Sequence, residues 1–179
     1  MGGVKKILSQ GCLRGVDILK ILVTIGSMKE KKFTRLFNII DELCEENIID
    51  KNNVIAQVGF DGYKSKNFKT FDMISDKSFK KIINECDLII THAGTGTVIS
   101  CLKQNKKVIV FPRMSKFNEH YDDHQLELCN IFTKLNYVLC AKDKNELKDI
   151  LMNIDTFSLN RFKSSNEKIN GIIRDFIEN

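Results

Sequence analysis

Small and hydroxyl-bearing residues follow one apolar segment of the chain in an order suited to holding an anion. The run 91–97 reads Thr-His-Ala-Gly-Thr-Gly-Thr and directly follows the apolar segment 87–90. A strand that ends in small residues and leads into a helix presents free backbone N–H groups and the positive end of the helix dipole. Two glycines leave room for a ligand, and the threonines add hydroxyl donors. We interpret this run as a phosphate-binding turn formed by His92, Gly94, Thr95, Gly96 and Thr97.

The densest polar cluster comes about two dozen residues later, at 119–125, and reads Glu-His-Tyr-Asp-Asp-His-Gln. Carboxylate and amide groups suit sugar recognition because each can satisfy paired hydroxyls. Together the two segments suggest a nucleotide diphosphate held by the first and a sugar or ribose read by the second. The candidate sugar-binding residues are Glu119, Asp123, His124 and Gln125.

The same cluster has two other interpretations. Asp122 or Asp123 could simply be the cap of the next helix. His120 and His124 are four residues apart and would share a helix face, so they could bind a metal together with Asp123 or Glu119. A third soft ligand is not evident, and we expect no metal.

Contacts with the diphosphate could also come from residues outside the polar cluster's sugar-binding candidates. Gly26 and Ser27 end the first strand-like segment, where they would face the ligand from the side opposite the glycine-rich turn; an ordinary strand-to-helix turn is the alternative. Arg113 follows the only proline, and it could neutralise a phosphate charge or pair with an aspartate of the cluster. His92 could donate to a phosphate oxygen or be a buried histidine bonded to backbone.

The composition is ordinary for one globular domain. The chain has 179 residues, 42% of them apolar and 28% charged, with a net charge of +5. Its lysines are dispersed without an arginine-rich stripe, which disfavours nucleic-acid binding but is compatible with attraction to an anionic membrane. No apolar run has the length of a membrane span or signal peptide. Of the six cysteines, Cys86, Cys101 and Cys129 fall at apolar helical positions, so we predict buried thiols rather than disulfides in a reducing compartment.

Strand-like and helix-like patterns alternate along the chain, and this alternation predicts an α/β fold with a parallel sheet covered by helices on both faces. In such sheets, ligands bind beyond the carboxyl ends of the strands, so three polar segments should converge on one edge: 26–27, 94–97 and 113–125. Residues 1–17 are predicted to be an extension. The predicted strands are 18–25, 54–58, 68–74, 88–91, 108–111 and 137–140; apolar stripes at 33–44, 79–86, 98–102, 128–135, 147–151 and 169–176 mark the helices.

Five motifs occur in an order that resembles the C-terminal domain of family 28 glycosyltransferases. They lie at 23–27, 56–59, 92–97, 111–113 and 119–125. The resemblance covers about residues 18–151. It is greatest to the small catalytic subunits of two-chain bacterial exopolysaccharide and capsule glycosyltransferases, which are related to the catalytic subunit of the eukaryotic dolichol-linked N-acetylglucosamine transferase.

This resemblance implies that residues 18–179 form a Rossmann-like domain equivalent to the C-terminal, donor-binding half of a GT-B glycosyltransferase. The implied reaction transfers a hexose or N-acetylhexosamine from a UDP-sugar to a lipid-diphosphate-linked saccharide, with inversion and without a metal or other cofactor. A membrane-anchored partner chain would supply the acceptor-binding half. The pair would work at the cytosolic face of the membrane.

The chain departs from the family pattern at one position. Two-domain relatives often carry a glutamate that bonds the ribose hydroxyls, and Ser100 stands at that place here. Glu119 is the local candidate for the catalytic base, although the base could lie on the partner chain. The departure leaves open a non-catalytic subunit that binds the nucleotide sugar and enhances a partner. A dehydrogenase is disfavoured because the first strand lacks the three-glycine fingerprint.

Overall fold

The computed structural model describes residues 19–163 and residue 171. The predicted extension at 1–17 and the predicted terminal helix at 169–176 lie outside these residues, apart from the single position 171. Strands and helices alternate as the sequence predicted, and each predicted strand and helix within 19–163 is present. The strands are β1 Ile21–Thr24, β2 Val54–Gln57, β3 Lys69–Phe71, β4 Leu88–Thr91, β5 Lys107–Val110 and β6 Leu139–Cys140; the helices are α1 Thr34–Glu45, α2 Asp76–Glu85, α3 Thr95–Lys103, α4 His124–Lys134 and α5 Lys144–Met152.

The six strands form one parallel sheet in the order β3-β2-β1-β4-β5-β6. The strand β1 pairs with β2 on one side and with β4 on the other, so the direction of sheet growth reverses between β1 and β4. Thr24 and Thr91 are partners in register at the ends of these two strands. The loops that follow β1 and β4 therefore open side by side at the switch point, where doubly wound sheets bind ligands.

Apolar side chains fill both faces of the sheet. One cluster packs residues of α1 and α5 against the sheet, and the other packs residues of α2, α3 and α4 against the opposite face. The central strand β1 is fully buried because neighbours cover it on all sides. Burial on both faces explains why the strands read as continuous apolar runs. Among the described helices, none is long and apolar enough to cross a membrane.

The prediction for the cysteines is wrong at one pair. Cys44, Cys86 and Cys101 are buried free thiols as expected. Cys129 of α4 is joined to Cys140 of β6 by a disulfide, with the two Cα atoms 6.2 Å apart. The helical pattern placed Cys129 in the core correctly, but it could not show that the following strand brings a second cysteine beside it.

Candidate functional site

The ring of His92 lies between two glycines that follow different strands. Gly26 comes after β1 and Gly94 after β4, and a Cβ atom on either residue would collide with the imidazole. On Gly26 this atom would lie 2.6 Å from Cε1 of His92. Gly26 also has a φ of +71°, which glycine adopts at little cost. Both glycines therefore have a packing reason to lack a side chain, in addition to the ligand approach inferred for Gly94.

His92 is neutral at physiological pH. Burial is the largest cause that lowers its pKa, from 6.5 to about 3, and the charges of Arg113 and His120 act in the same direction. Its Nδ1 atom lies 3.4 Å from the hydroxyl oxygen of Thr91. A neutral imidazole carries one N–H donor and one acceptor nitrogen. The geometry shows a packed histidine, and donation to a phosphate oxygen stays a prediction.

The N-terminus of α3 has no side-chain cap. Its cap residue is Gly94, and no side chain accepts a hydrogen bond from its first N–H groups. The cap residues of α1 and α4 also accept no such bond, but acidic side chains accept from backbone N–H groups at those two helix starts, and α2 and α5 have capping side chains. Asp61 accepts from the backbone N–H of Phe33 before α1, Ser75 from Ser78 in α2, Asp122 from His124 in α4, and Asp143 from Glu146 in α5. The donors of α3 are thus available to an external anion.

A groove of about 410 Å³ runs from this helix start between α2 and α3. Gly96, Thr97 and Ser100 line it from α3, whereas Asp76 and Phe79 line it from α2. A side chain on Gly96 would meet nothing within 4 Å, because the glycine faces open space. Ser100, at the place of the family's glutamate, therefore does line a groove beside the predicted phosphate site.

Gln125 joins the ends of two strands. Its side-chain oxygen accepts hydrogen bonds from the backbone N–H of Ala93 at 3.3 Å and of Arg113 at 3.0 Å. The residue is only 7% exposed. Two backbone donors fix the orientation of the amide, so Nε2 points away from them, and Nε2 has no hydrogen-bond partner among residues 19–163. The predicted contact with a sugar hydroxyl can therefore come only from this nitrogen.

Glu119 is buried, and both oxygens of its carboxylate accept hydrogen bonds. Arg35 of α1 donates from Nε to one carboxylate oxygen at 2.7 Å and from a terminal nitrogen to the other at 2.8 Å. The backbone N–H of Met114 donates to the same carboxylate at 3.1 Å. Arg35 also lies over the ring of Phe111, 4.6 Å from its centroid. This bidentate pair fixes the loop after β5, and it gives no support to Glu119 as a base or as a ligand of the sugar.

Arg113 is completely buried and contacts backbone rather than aspartate. Its terminal nitrogens donate to the carbonyl oxygens of Ile25 at 3.2 Å, Lys31 at 3.0 Å and Glu119 at 3.2 Å. Its Nε has no partner in the described residues. Burial lowers the pKa of Arg113, and the charge of Glu119 opposes that shift. The predicted pairing with an aspartate of the cluster is wrong; the guanidinium fixes the loop after β1 and contributes a buried positive charge near His92.

The acids and histidines of the cluster bond mainly to one another and to backbone. Asp123 is the cap residue of α4, but its carboxylate accepts from the backbone N–H of Ser115 at 2.9 Å instead of from the helix. Asp122 accepts from His124 and lies 2.9 Å from Nδ1 of His120. The bond from His124 is the largest cause that lowers the pKa of Asp122. Within the described ranges, no group of three His, Cys, Asp or Glu side chains could hold a metal ion.

The three predicted polar segments therefore meet at one edge of the sheet. Gly26 contacts His92, and Gln125 links the segment after β4 to the loop after β5. Ser27 is exposed beside them, and His124 is exposed at the start of α4. Sequence reasoning missed Arg35, which stands beside the apolar stripe of α1. The only available sequence signal was that Arg35, a charged residue, lies next to apolar positions of the helix, which suggests that it has a buried partner.

Parallel strands with helices on both faces, and a helix start without a cap at the switch point, define a Rossmann-like α/β domain. The profile of the glycosyltransferase family 28 C-terminal domain matches residues 20–179, which is most of the chain. The chain belongs to this family of glycosyltransferases, as its motifs predicted.

Curated relatives carry the name UDP-N-acetylglucosamine transferase subunit ALG13. The protein of that name from Candida albicans is 37% identical over 110 residues, which are 61% of this chain and 36% of the relative. The chain also spans less than two thirds of the proteins of that name from Kluyveromyces lactis and Debaryomyces hansenii. These eukaryotic names give no support to the predicted closeness to bacterial exopolysaccharide and capsule subunits.

Two solved structures agree with the fold. The NMR solution structure of ALG13 superposes with a TM-score of 0.59 at 23% identity and covers 88% of this chain and 96% of its own. The glycotransferase of kitacinnamycin gives a TM-score of 0.53 at 12% identity and covers 97% of this chain but only 43% of its own. The described domain thus corresponds to less than half of that enzyme, as expected for one half of a GT-B glycosyltransferase.

Proposed function

We propose that this chain is the donor-binding subunit of an inverting glycosyltransferase that moves N-acetylglucosamine from its UDP derivative to a lipid-diphosphate-linked saccharide. The observation that carries the proposal is the start of α3, whose backbone donors have no side-chain acceptor in the described residues. In a glycosyltransferase domain, the anion that fits such a helix start is the diphosphate of a nucleotide sugar. The names of the relatives support UDP-N-acetylglucosamine as the donor.

The chemical task of this chain is to stabilise the departing UDP. Negative charge grows on the diphosphate as the bond to the anomeric carbon breaks, and the N–H groups of residues 95–97 stabilise it in place. The hydroxyls of Thr95 and Thr97 and the neutral imidazole of His92 add donors. None of these groups has to gain or lose a proton, and this chain needs no metal for the step.

The groove between α2 and α3 holds the uridine. Phe79 and Ile99 line it with apolar surface for the base, and Asp76 contributes a carboxylate for the ribose hydroxyls. Ser100 is too short to replace a glutamate, and Glu119 is held by Arg35. Asp76 is therefore the carboxylate that we assign to the ribose.

The catalytic base comes from a partner chain. Both oxygens of the Glu119 carboxylate already accept hydrogen bonds from Arg35 or Met114, and the ion pair with Arg35 disfavours it as a base for the acceptor hydroxyl. The partner also binds the lipid-linked acceptor, is anchored in the membrane, and holds this chain at its cytosolic face. Transfer therefore requires both chains, and the purified single chain binds UDP without transferring sugar.

Two substitutions of Gly96 test the diphosphate site. Gly96 has an ordinary φ and open space around it, so both Gly96→Asp and Gly96→Ala should fold. A carboxylate at a helix start interacts favourably with the dipole and competes with a bound diphosphate. We expect UDP to raise the melting temperature of the wild type and of Gly96→Ala, but not of Gly96→Asp. GDP-mannose is the control ligand. If UDP raised the melting temperature of Gly96→Asp as much as that of the wild type, the diphosphate would not bind at this site.

The same variant separates a catalytic subunit from an enhancer. Gly96→Asp, mixed with the partner chain, should lose sugar transfer while it still forms the complex. Transfer at the wild-type rate by that complex would show that the partner binds the donor itself, and this chain would then be a non-catalytic subunit.

A further inference from the structure

We propose that this chain itself binds the surface of an anionic membrane through exposed aromatic rings at the carboxyl edge of its sheet. Each of the three rings lies beneath a lysine. The Nζ atom of Lys29 is 4.7 Å from the ring centroid of Phe60, that of Lys31 is 4.9 Å from Tyr121, and that of Lys116 is 4.9 Å from Phe117. We call these residues the aromatic–lysine rim.

Exposed apolar side chains are concentrated at this edge. Five large apolar side chains of the described residues are exposed, and four of them follow the carboxyl ends of strands. Phe60 and Phe117 are each 49% exposed, and Tyr121 is 69% exposed. Met73 is the fourth, and it follows β3. Because the carboxyl ends of parallel strands share one edge of the sheet, these side chains surround the candidate site.

The lysines of the rim have no carboxylate partner among the described residues. The segments 29–32 and 115–118 together contain four lysines and one acid, Glu30. The neighbouring acids are engaged elsewhere: Asp61 accepts from Phe33, Asp122 from His124, and Asp123 from Ser115. Lys144 and Lys148 of α5 show the contrast, because both pair with Glu46 of the chain that follows α1. The rim therefore presents positive charge to an external partner.

This combination fits a membrane better than a protein. The cores of protein interfaces are depleted in lysine. Tyrosine and phenylalanine rings can settle between the lipid headgroups and the acyl chains, and lysines near an anionic surface each strengthen binding about fivefold. The rim combines rings and lysines along one edge, so its rings can settle among the lipids while its lysines attract the anionic surface. If the proposed function also holds, this contact brings the donor site to the surface that contains the lipid-linked acceptor.

Two matched triple variants of the full chain test the proposal by flotation with vesicles. Lys29→Gln, Lys31→Gln and Lys116→Gln remove the rim charges. Lys20→Gln, Lys51→Gln and Lys134→Gln remove equal charge from exposed lysines at the opposite edge, since Lys20 precedes β1, Lys51 precedes β2 and Lys134 lies at the C-terminus of α4. The vesicles are phosphatidylcholine alone or mixed with phosphatidylserine.

We expect the wild type to bind the mixed vesicles, the rim triple to bind about a hundredfold more weakly, and the control triple to bind nearly as well as the wild type. The pair Phe60→Ser and Tyr121→Ser should also weaken binding. Equal loss in both triples, or no binding by the wild type, would overturn the proposal. If the rim triple still bound vesicles but no longer captured the acceptor-binding chain, the rim would instead be a protein interface. The melting shift with UDP, measured on the same variants, reports the donor site separately.

Discussion

The imidazole of His92 occupies the volume that a side chain on Gly94 would need. Gly96, two residues later, faces open space. We therefore expect Gly94→Ala to lower the free energy of unfolding by about 1–3 kcal/mol through overpacking. Gly96→Ala should raise it by roughly 0.5 kcal/mol through helix propensity. Urea denaturation of the two variants measures the difference, and equal stabilities would show that the ring of His92 moves aside freely.

Stability should fall as the pH is lowered from 6.5 towards 3, because His92 resists protonation in the folded state. Its pKa is lowered from 6.5 to about 3, so the unfolded chain binds more protons between these values. This stability is fully present above pH 6.5 and is lost at up to about 1.4 kcal/mol per pH unit below it.

The acid transition of Glu46 lies lower, since pairing with Lys144 and Lys148 lowers its pKa from 4.5 to about 2. Between pH 6.5 and 4.5, the loss of stability through His92 is therefore separated from the loss through Glu46. Chemical denaturation at several pH values should give a shallower dependence for His92→Asn than for the wild type. Parallel curves for the two proteins would contradict the assignment.

Glu119 should matter for stability much more than for chemistry. Glu119→Ala leaves Arg35 without its carboxylate partner, and breaking a buried pair of this kind costs about 3–5 kcal/mol. Glu119→Gln keeps one oxygen that can accept from a terminal nitrogen of Arg35 and from the backbone N–H of Met114, and it loses the bond from Nε of Arg35, so it should fold with a smaller loss of stability. With the partner chain present, we expect the kcat of Glu119→Gln to fall less than about tenfold, because a lost catalytic base typically costs 10²–10⁴. A larger fall in a folded variant would restore Glu119 as the base.

Gln125 combines a structural oxygen with an amide nitrogen that is available to a ligand. Gln125→Leu leaves the buried N–H groups of Ala93 and Arg113 without an acceptor, which should cost about 1–3 kcal/mol for each group. Gln125→Glu keeps the acceptor and removes the nitrogen. The added charge should weaken the binding of UDP, and we expect a larger loss of affinity for UDP-N-acetylglucosamine in calorimetry, because the contact with the sugar is lost as well. An equal loss of affinity for UDP and for UDP-N-acetylglucosamine would contradict the predicted contact with the sugar.

Asp76 should discriminate between ribose and deoxyribose. The wild type is expected to bind UDP more tightly than 2′-deoxy-UDP, because the carboxylate loses a hydroxyl partner in the second ligand. Asp76→Asn should reduce that preference. The control is Asp72→Asn, an exposed acid that is not among the residues of the groove. An undiminished preference in Asp76→Asn would place the ribose against another residue.

The elements and their order were predictable from local patterns. The apolar stripe of α2 is a short-range feature, and the helix appears where the stripe indicated. The strand β4 could be recognised because burial on both faces requires a continuous apolar run. The polar segments could be placed at one edge because topology alone aligns the carboxyl ends of parallel strands.

The roles of individual site residues were less predictable, because they depend on partners far away in the sequence. Nothing near Glu119 identifies Arg35, which is 84 positions away, as its partner. The sequence around Arg113 suggests a ligand for phosphate. Only the fold shows that Arg113 contacts the carbonyl oxygen of Ile25, which is 88 positions away. The reason for Gly94 to be a glycine becomes visible only when the ring of His92 is in place.

The long separations within the pair Arg35–Glu119 and the contact Arg113–Ile25 also bear on how the protein folds. A loop held by contacts between residues 84 and 88 positions apart cannot take its shape until the sheet and α1 have assembled. We therefore expect the loop after β5 to be among the last parts of the domain to form during refolding. A chain trapped before that step would contain most of its core and lack the site.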